Sequence, residues 1–102
     1  MRRDRGDIRK AIKFQQQGLV IAKEVGDKET EGKAYGKLGD EYRCLYDFPK
    51  AFDFIQKKLS IAKEIGNKVL EGSAYGSLGG LYNDLGDYEK NNRVWPAKSE
   101  NL

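Results

Sequence analysis

A forty-residue unit occurs twice in this chain and then stops. Residues 23–50 read KEVGDKETEGKAYGKLGDEYRCLYDFPK, and residues 63–90 read KEIGNKVLEGSAYGSLGGLYNDLGDYEK, with 15 of 28 positions identical. The same offset relates Asp7–Ala22 to Asp47–Ala62 at 8 of 16 positions. A fixed period in this range marks stacked helical units, each burying its apolar face against its neighbours rather than in a core of its own. Arrays of this kind bind other proteins far more often than they catalyse, so the period bounds function as well as fold.

Composition agrees with a thin array. The chain has 102 residues, 38% hydrophobic and 34% charged, which suits one domain with much surface and a modest core. Its net charge of +3 comes from 19 basic and 16 acidic residues mixed along the sequence. Interspersed charge of this kind is a solvated surface, and no basic run argues for nucleic acid. The basic start MRRDRG is not followed by an apolar stretch, so no signal peptide is expected. No apolar run approaches the roughly 20 residues of a membrane span. Cys44 is the only cysteine, which rules out an internal disulfide and fits a reducing, cytoplasmic setting. Histidine is absent, which removes Ser-His and Cys-His nucleophile pairs and the usual zinc sites. No enzymatic activity, cofactor or metal is therefore expected.

Helix punctuation recurs along the chain. Gly6-Asp7, Gly26-Asp27, Gly66-Asn67 and Gly86-Asp87 each pair a residue suited to ending a helix with one suited to capping the next. Asp47 supplies the capping half after Tyr46, where the glycine is missing. These marks predict an all-α fold of antiparallel helices at about 7–26, 28–46, 47–66 and 68–86, within an array over residues 1–90. Ile8, Ala11, Ile12, Leu19 and Ala22 form one apolar stripe on the first helix, and Phe14, Ile21 and Val25 a second. Phe48, Ala51, Phe52, Ile55, Leu59 and Ala62, with Phe54, Ile61 and Ile65, repeat both stripes on the third. A helix with two stripes is built to lie between two neighbours. Tyr35, Leu38, Tyr42 and Leu45, and their counterparts Tyr75, Leu78, Tyr82 and Leu85, share one helical face in each alternate segment.

Seven glycines fall inside those alternate segments, at 32, 36, 39, 72, 76, 79 and 80. Each costs a helix about 1 kcal/mol against alanine. Their recurrence predicts close helix–helix approach. A phosphate-cradling loop is excluded, because no strand precedes them and no Lys-Ser/Thr follows.

The positions of Tyr35, Leu38, Gly39, Tyr42, Ala51 and Ile55 resemble the tetratricopeptide (TPR) signature, with Tyr35 where that family often has Trp. The longer unit, EGKAYGKLGDEY with a second helix ending LSIAKEIG, is similar to the repeats of Leu-Gly-Asn-rich G-protein signalling modulators and of large invertebrate TPR scaffolds. The resemblance spans Asp7 to about Lys90. It departs from the family's Asn-Leu-Gly-Asn at Lys37-Leu38-Gly39-Asp40 and Ser77-Leu78-Gly79-Gly80, and a frequent Arg is replaced by Lys33 and Ser73.

The resemblance implies a right-handed solenoid of helical hairpins, about two repeats long, whose first helices line a concave peptide-binding groove. It assigns Lys33, Lys37, Asp40 and Arg43 to that groove, with Ser73, Ser77, Asn83 and Asp84 in the next unit. Two readings stand side by side. One is a protein or peptide ligand whose acidic side chains or carboxylate meet Lys33 and Lys37. The other is a structural spacer or remnant fragment whose groove is simply a wet surface, which the neutral second unit favours.

The period fails after residue 90. Asn91–Leu102 matches Ala51–Ala62 at 1 of 12 positions, and Pro96 falls where a helix should be in mid-course. A diverged cap is one account. A frameshifted tail is another, since NNRVWPAKSENL can be encoded so that reading one nucleotide later resembles Ala11–Ile21. With no complete pair at either end, apolar stripes are expected to lie bare and to drive self-association.

Overall fold

A computed structural model of the chain describes residues 4–90, and Asn91–Leu102 with its Pro96 lies outside them. Four helices follow in order: α1 Arg5–Val25, α2 Lys28–Cys44, α3 Phe48–Ile65 and α4 Lys68–Lys90. No strand occurs among the described residues. Each helix packs on the next, and α2 also meets α4 directly, while α1 has no close backbone approach to α3 or α4.

The three connections are built alike, twenty residues apart. At the first, Gly26 adopts φ 76°, its N–H reaches the Lys23 carbonyl at 3.2 Å, and the Asp27 N–H reaches the Ala22 carbonyl at 3.0 Å. Gly66 and Asn67 repeat this with φ 68° and bonds of 3.2 and 2.9 Å to Lys63 and Ala62. This pattern satisfies the carbonyls that a helix end leaves open. Tyr46 takes the glycine's part at φ 62°, donating to Arg43 at 3.0 Å while Asp47 donates to Tyr42 at 2.9 Å. A side chain in that conformation costs about 1–2 kcal/mol. The tyrosine ring is held against Phe48 and Tyr88, with centroids 6.2 and 6.1 Å away. Asp27, Asp47 and Asn67 then cap the next helices, accepting from the N–H of Thr30, Lys50 and Leu70 at 3.1, 3.3 and 3.0 Å.

The other two punctuation marks are not helix breaks. Asp4, not Asp7, caps α1 by accepting from the Asp7 N–H at 2.8 Å, so Gly6 sits in the first turn. Helix α4 runs through Gly86-Asp87 to Lys90 rather than ending near 86. Neither Gly6 nor Gly86 takes the positive φ that ends α1 at Gly26 and α3 at Gly66.

Two clusters form the core. Ile8 and Ile12 of α1 bury Leu38 of α2, with Leu19, Tyr42, Leu45 and Phe54 packed around them. Phe48, Ala51 and Ile55 of α3 meet Ala74 and Leu81 of α4. Leu38, Phe48, Ile55 and Leu81 are the largest fully buried side chains, and burial of each contributes about 1.5–3 kcal/mol.

Between the clusters, α2 and α3 meet along the glycine face of α2. A Cβ on Gly32 would lie 3.0 Å from Leu70 Cδ2 and 3.2 Å from Ile61 Cγ2. One on Gly39 would lie 2.5 Å from Ile55 Cδ1. Close approach therefore explains the glycines of α2. It does not explain Gly72, Gly76 and Gly79 of α4, which have nothing within 4 Å among the described residues. The second apolar stripe divides in the same way. Phe54 stacks on Tyr35 and Tyr42 at 6.1 and 5.6 Å, whereas Phe14 is 68% exposed.

Candidate functional site

Helices α2 and α4 carry the eight candidate residues, and α3 lies against both. At one end of the seam, Arg43 of α2 donates from Nε to Asp84 Oδ2 of α4 in a short charge-assisted bond. The bond to Asp84, with the nearby charges of Asp84 and Asp40, raises the guanidinium pKa further above its ordinary value. Gly80 makes room for this contact, since a Cβ there would lie 3.0 Å from Arg43 Nη1. Arg43 and Asp84 are thus engaged with each other, pinning α2 to α4.

The remaining candidates divide by exposure. Lys33, Lys37, Asp40, Ser73 and Asn83 are exposed, and Ser77 is half-buried. Lys33 pairs with Glu29 one turn back at 3.2 Å, a solvent-exposed pair of little energetic weight. Lys37 has no ion-pair partner among the described residues.

One residue belongs with this set although sequence reasoning passed over it. Lys58 of α3 is 9% exposed, and its ammonium donates to Ser73 Oγ at 2.7 Å. Its stem passes over Gly36 of α2, where a Cβ would lie 2.8 Å from Cδ and 3.0 Å from Nζ. The missing side chain at Gly36 lets the lysine through. No carboxylate pairs with it among the described residues. An ammonium has three donors, and the serine takes one. The signal was available: Lys58 stands three residues after Ile55 and three before Ile61, on the face that meets the α2 glycines.

A cleft of about 330 Å³ opens elsewhere, lined by Arg5, Arg9, Ile12, Gln16, Tyr42, Leu45, Asp47 and Lys50, and holds none of the candidate residues. Its carboxylate, Asp47, is already the α3 cap. Cys44 is exposed and unpaired. No group of His, Cys, Asp or Glu among the described residues could hold a metal ion, and no described helix is long and apolar enough to cross a membrane. No family model and no curated protein matches the chain.

Proposed function

We propose that the chain is a TPR-like array of helical hairpins acting as a non-enzymatic protein-interaction module, with an acidic segment of a partner lying along the seam between α2 and α4. The observation that carries this reading is Lys58. A buried cation is costly unless its charge and donors are matched. Among the described residues its ammonium donates to the Ser73 hydroxyl, in a part-buried bond between α3 and α4, and has no carboxylate partner. Lys33 and Lys37 add exposed positive charge on α2, three residues before and one residue after the buried Gly36. A carboxylate side chain or chain terminus would complete the lysine's bonds, and backbone groups of an extended segment would suit the serines of α4.

The competing reading is a spacer with no ligand, favoured by the mutual pairing of Arg43 and Asp84 and by the Lys33–Glu29 pair. Peptide-display selection on the full chain separates them. The binding reading expects Asp/Glu-containing sequences whose affinity falls at least tenfold in Lys58→Met and in the Lys33→Glu/Lys37→Glu double variant. Selected peptides indifferent to all three lysines would favour the spacer.

A further inference from the structure

The α2–α3 contact has an unfilled twin. Every α2 residue in that contact has a counterpart forty positions on in α4, and every α3 residue has one forty positions back in α1. In the filled contact, Phe54 stacks on Tyr35 and Tyr42, Ile61 enters the space beside Gly32, and Lys28 lies 3.9 Å from Glu64. The α4 counterparts are open. Tyr75 and Tyr82 are 49% and 66% exposed where Tyr35 is 7%, and Gly72 faces empty space among the described residues. Lys68 has an 89% exposed side chain and pairs with Glu71 in its own helix at 3.5 Å. The α1 counterparts are open too: Phe14 and Ile21 are 68% and 58% exposed, and Glu24 is exposed.

We propose that α1 of a second copy docks on the glycine face of α4, reproducing the α2–α3 contact between molecules. Phe14 then stacks on Tyr75 and Tyr82, Ile21 fills the space at Gly72, and Glu24 meets Lys68. The charges are complementary in the sense of the template, where Lys28 pairs with Glu31 in its own helix and with Glu64 across the seam. The occupant is a second copy because this chain carries the complementary helix itself. The contact is heterologous, so each copy keeps one free face of each kind and the assembly grows head-to-tail. Gln15 and Gly18 stand where Ile55 and Lys58 fill the template, so the docked interface is less completely packed and the association reversible.

Two variants block one face each without touching the core. Ile21→Arg changes an exposed residue of α1, and Gly72→Arg puts a side chain into open space on α4. Sedimentation velocity of the full chain, from low to high micromolar, should show wild type growing in mass with concentration. Each variant alone should associate at least tenfold more weakly. Mixed together, they should form a one-to-one dimer and nothing larger, because one supplies a free α4 face and the other a free α1 face. A wild-type monomer throughout overturns the proposal, as does association that begins once residues 91–102 are removed, which would give the face to the chain's own tail. Self-association of the Gly72→Arg chain alone would mean a two-fold contact between α1 faces and overturns it equally.

Discussion

Alanine should stabilise the protein at Gly79 but not at Gly39, forty residues earlier. At Gly39 the new Cβ would lie 2.5 Å from Ile55 Cδ1, 2.8 Å from its Cγ1 and 3.3 Å from the Ala51 carbonyl oxygen. Ile55 is 1% exposed and enclosed by Phe48, Ala51, Ala74 and Leu81, so it has nowhere to swing. Overpacking of that kind costs about 1–3 kcal/mol. Replacing glycine in a helix interior returns about 1 kcal/mol. Gly39→Ala should therefore be neutral to destabilising by about 2 kcal/mol, the difference of those two terms. At Gly79 nothing lies within 4 Å among the described residues, so only the propensity gain of about 1 kcal/mol applies. The propensity term is common to both and cancels between them. Their difference, about 1–3 kcal/mol, isolates the closeness of α2 to α3. Urea melts followed by far-UV circular dichroism, at low micromolar concentration to keep association out, give both values. A Gly39→Ala protein as stable as the Gly79→Ala protein would refute the packing of Ile55 against α2.

Other outcomes follow from single contacts. The Arg43–Asp84 pair is more than a third exposed on both sides, so a double-mutant cycle with Arg43→Met and Asp84→Asn should give a coupling below about 1 kcal/mol; a coupling of several kcal/mol would mean a dry, buried pair. The Thr30 hydroxyl and N–H both bond the Asp27 carboxylate and hold its pKa below the ordinary aspartate range. A depressed pKa contributes stability above the unfolded value, about 3.9, and that contribution is lost as pH falls through the lower folded value. The stability advantage of wild type over Asp27→Asn should accordingly shrink in acid over that window, and an advantage that grows there would contradict it. Tyr46→Gly should shift stability by less than about 2 kcal/mol, because relief of the left-handed conformation, about 1–2 kcal/mol, offsets two lost ring contacts of about 0.5–1.5 kcal/mol each. A larger loss in thermal melts would show that the Phe48 and Tyr88 contacts outweigh the backbone term.

What was legible in the sequence was local. Gly26-Asp27 and Gly66-Asn67 could be read as turns because cap chemistry is complete within six residues, and Asp47 marked its turn even with Tyr46 in the glycine's place. Gly6-Asp7 and Gly86-Asp87 carry the same letters without the turn, because Gly6 lies in the first turn of α1 and Gly86 inside α4, both with ordinary helical φ. The repeat likewise transmits residue type but not environment. Tyr35 and Tyr75 match in sequence, yet one is buried under α3 and the other faces outward. The same gap separates Gly39 from Gly79. Among the candidate site residues, spacing alone places the lysines of α2 and the serines of α4 opposite the Tyr/Leu face of their own helices, whereas the Arg43–Asp84 bond depends on the separation of α2 and α4. Lys58 carries no repeat signal, because its counterpart at period forty is Gly18.

In the proposed function, a ligand carboxylate completes the bonds of Lys58 between α2 and α4. Nitrogen-15 NMR titration of the full chain with a selected acidic peptide tests it directly, reading backbone amides and the Lys58 side-chain ammonium together. A carboxylate bound there should give saturable shifts largest at Gly36, Lys37, Ser73 and Ser77, a Lys58 ammonium signal that moves with them, and loss of these shifts in Lys58→Met. Shifts centred instead on the cleft lined by Arg5, Arg9 and Lys50, or on the open faces of Phe14 and Tyr75, would contradict it, as would an unmoved Lys58 signal at saturation.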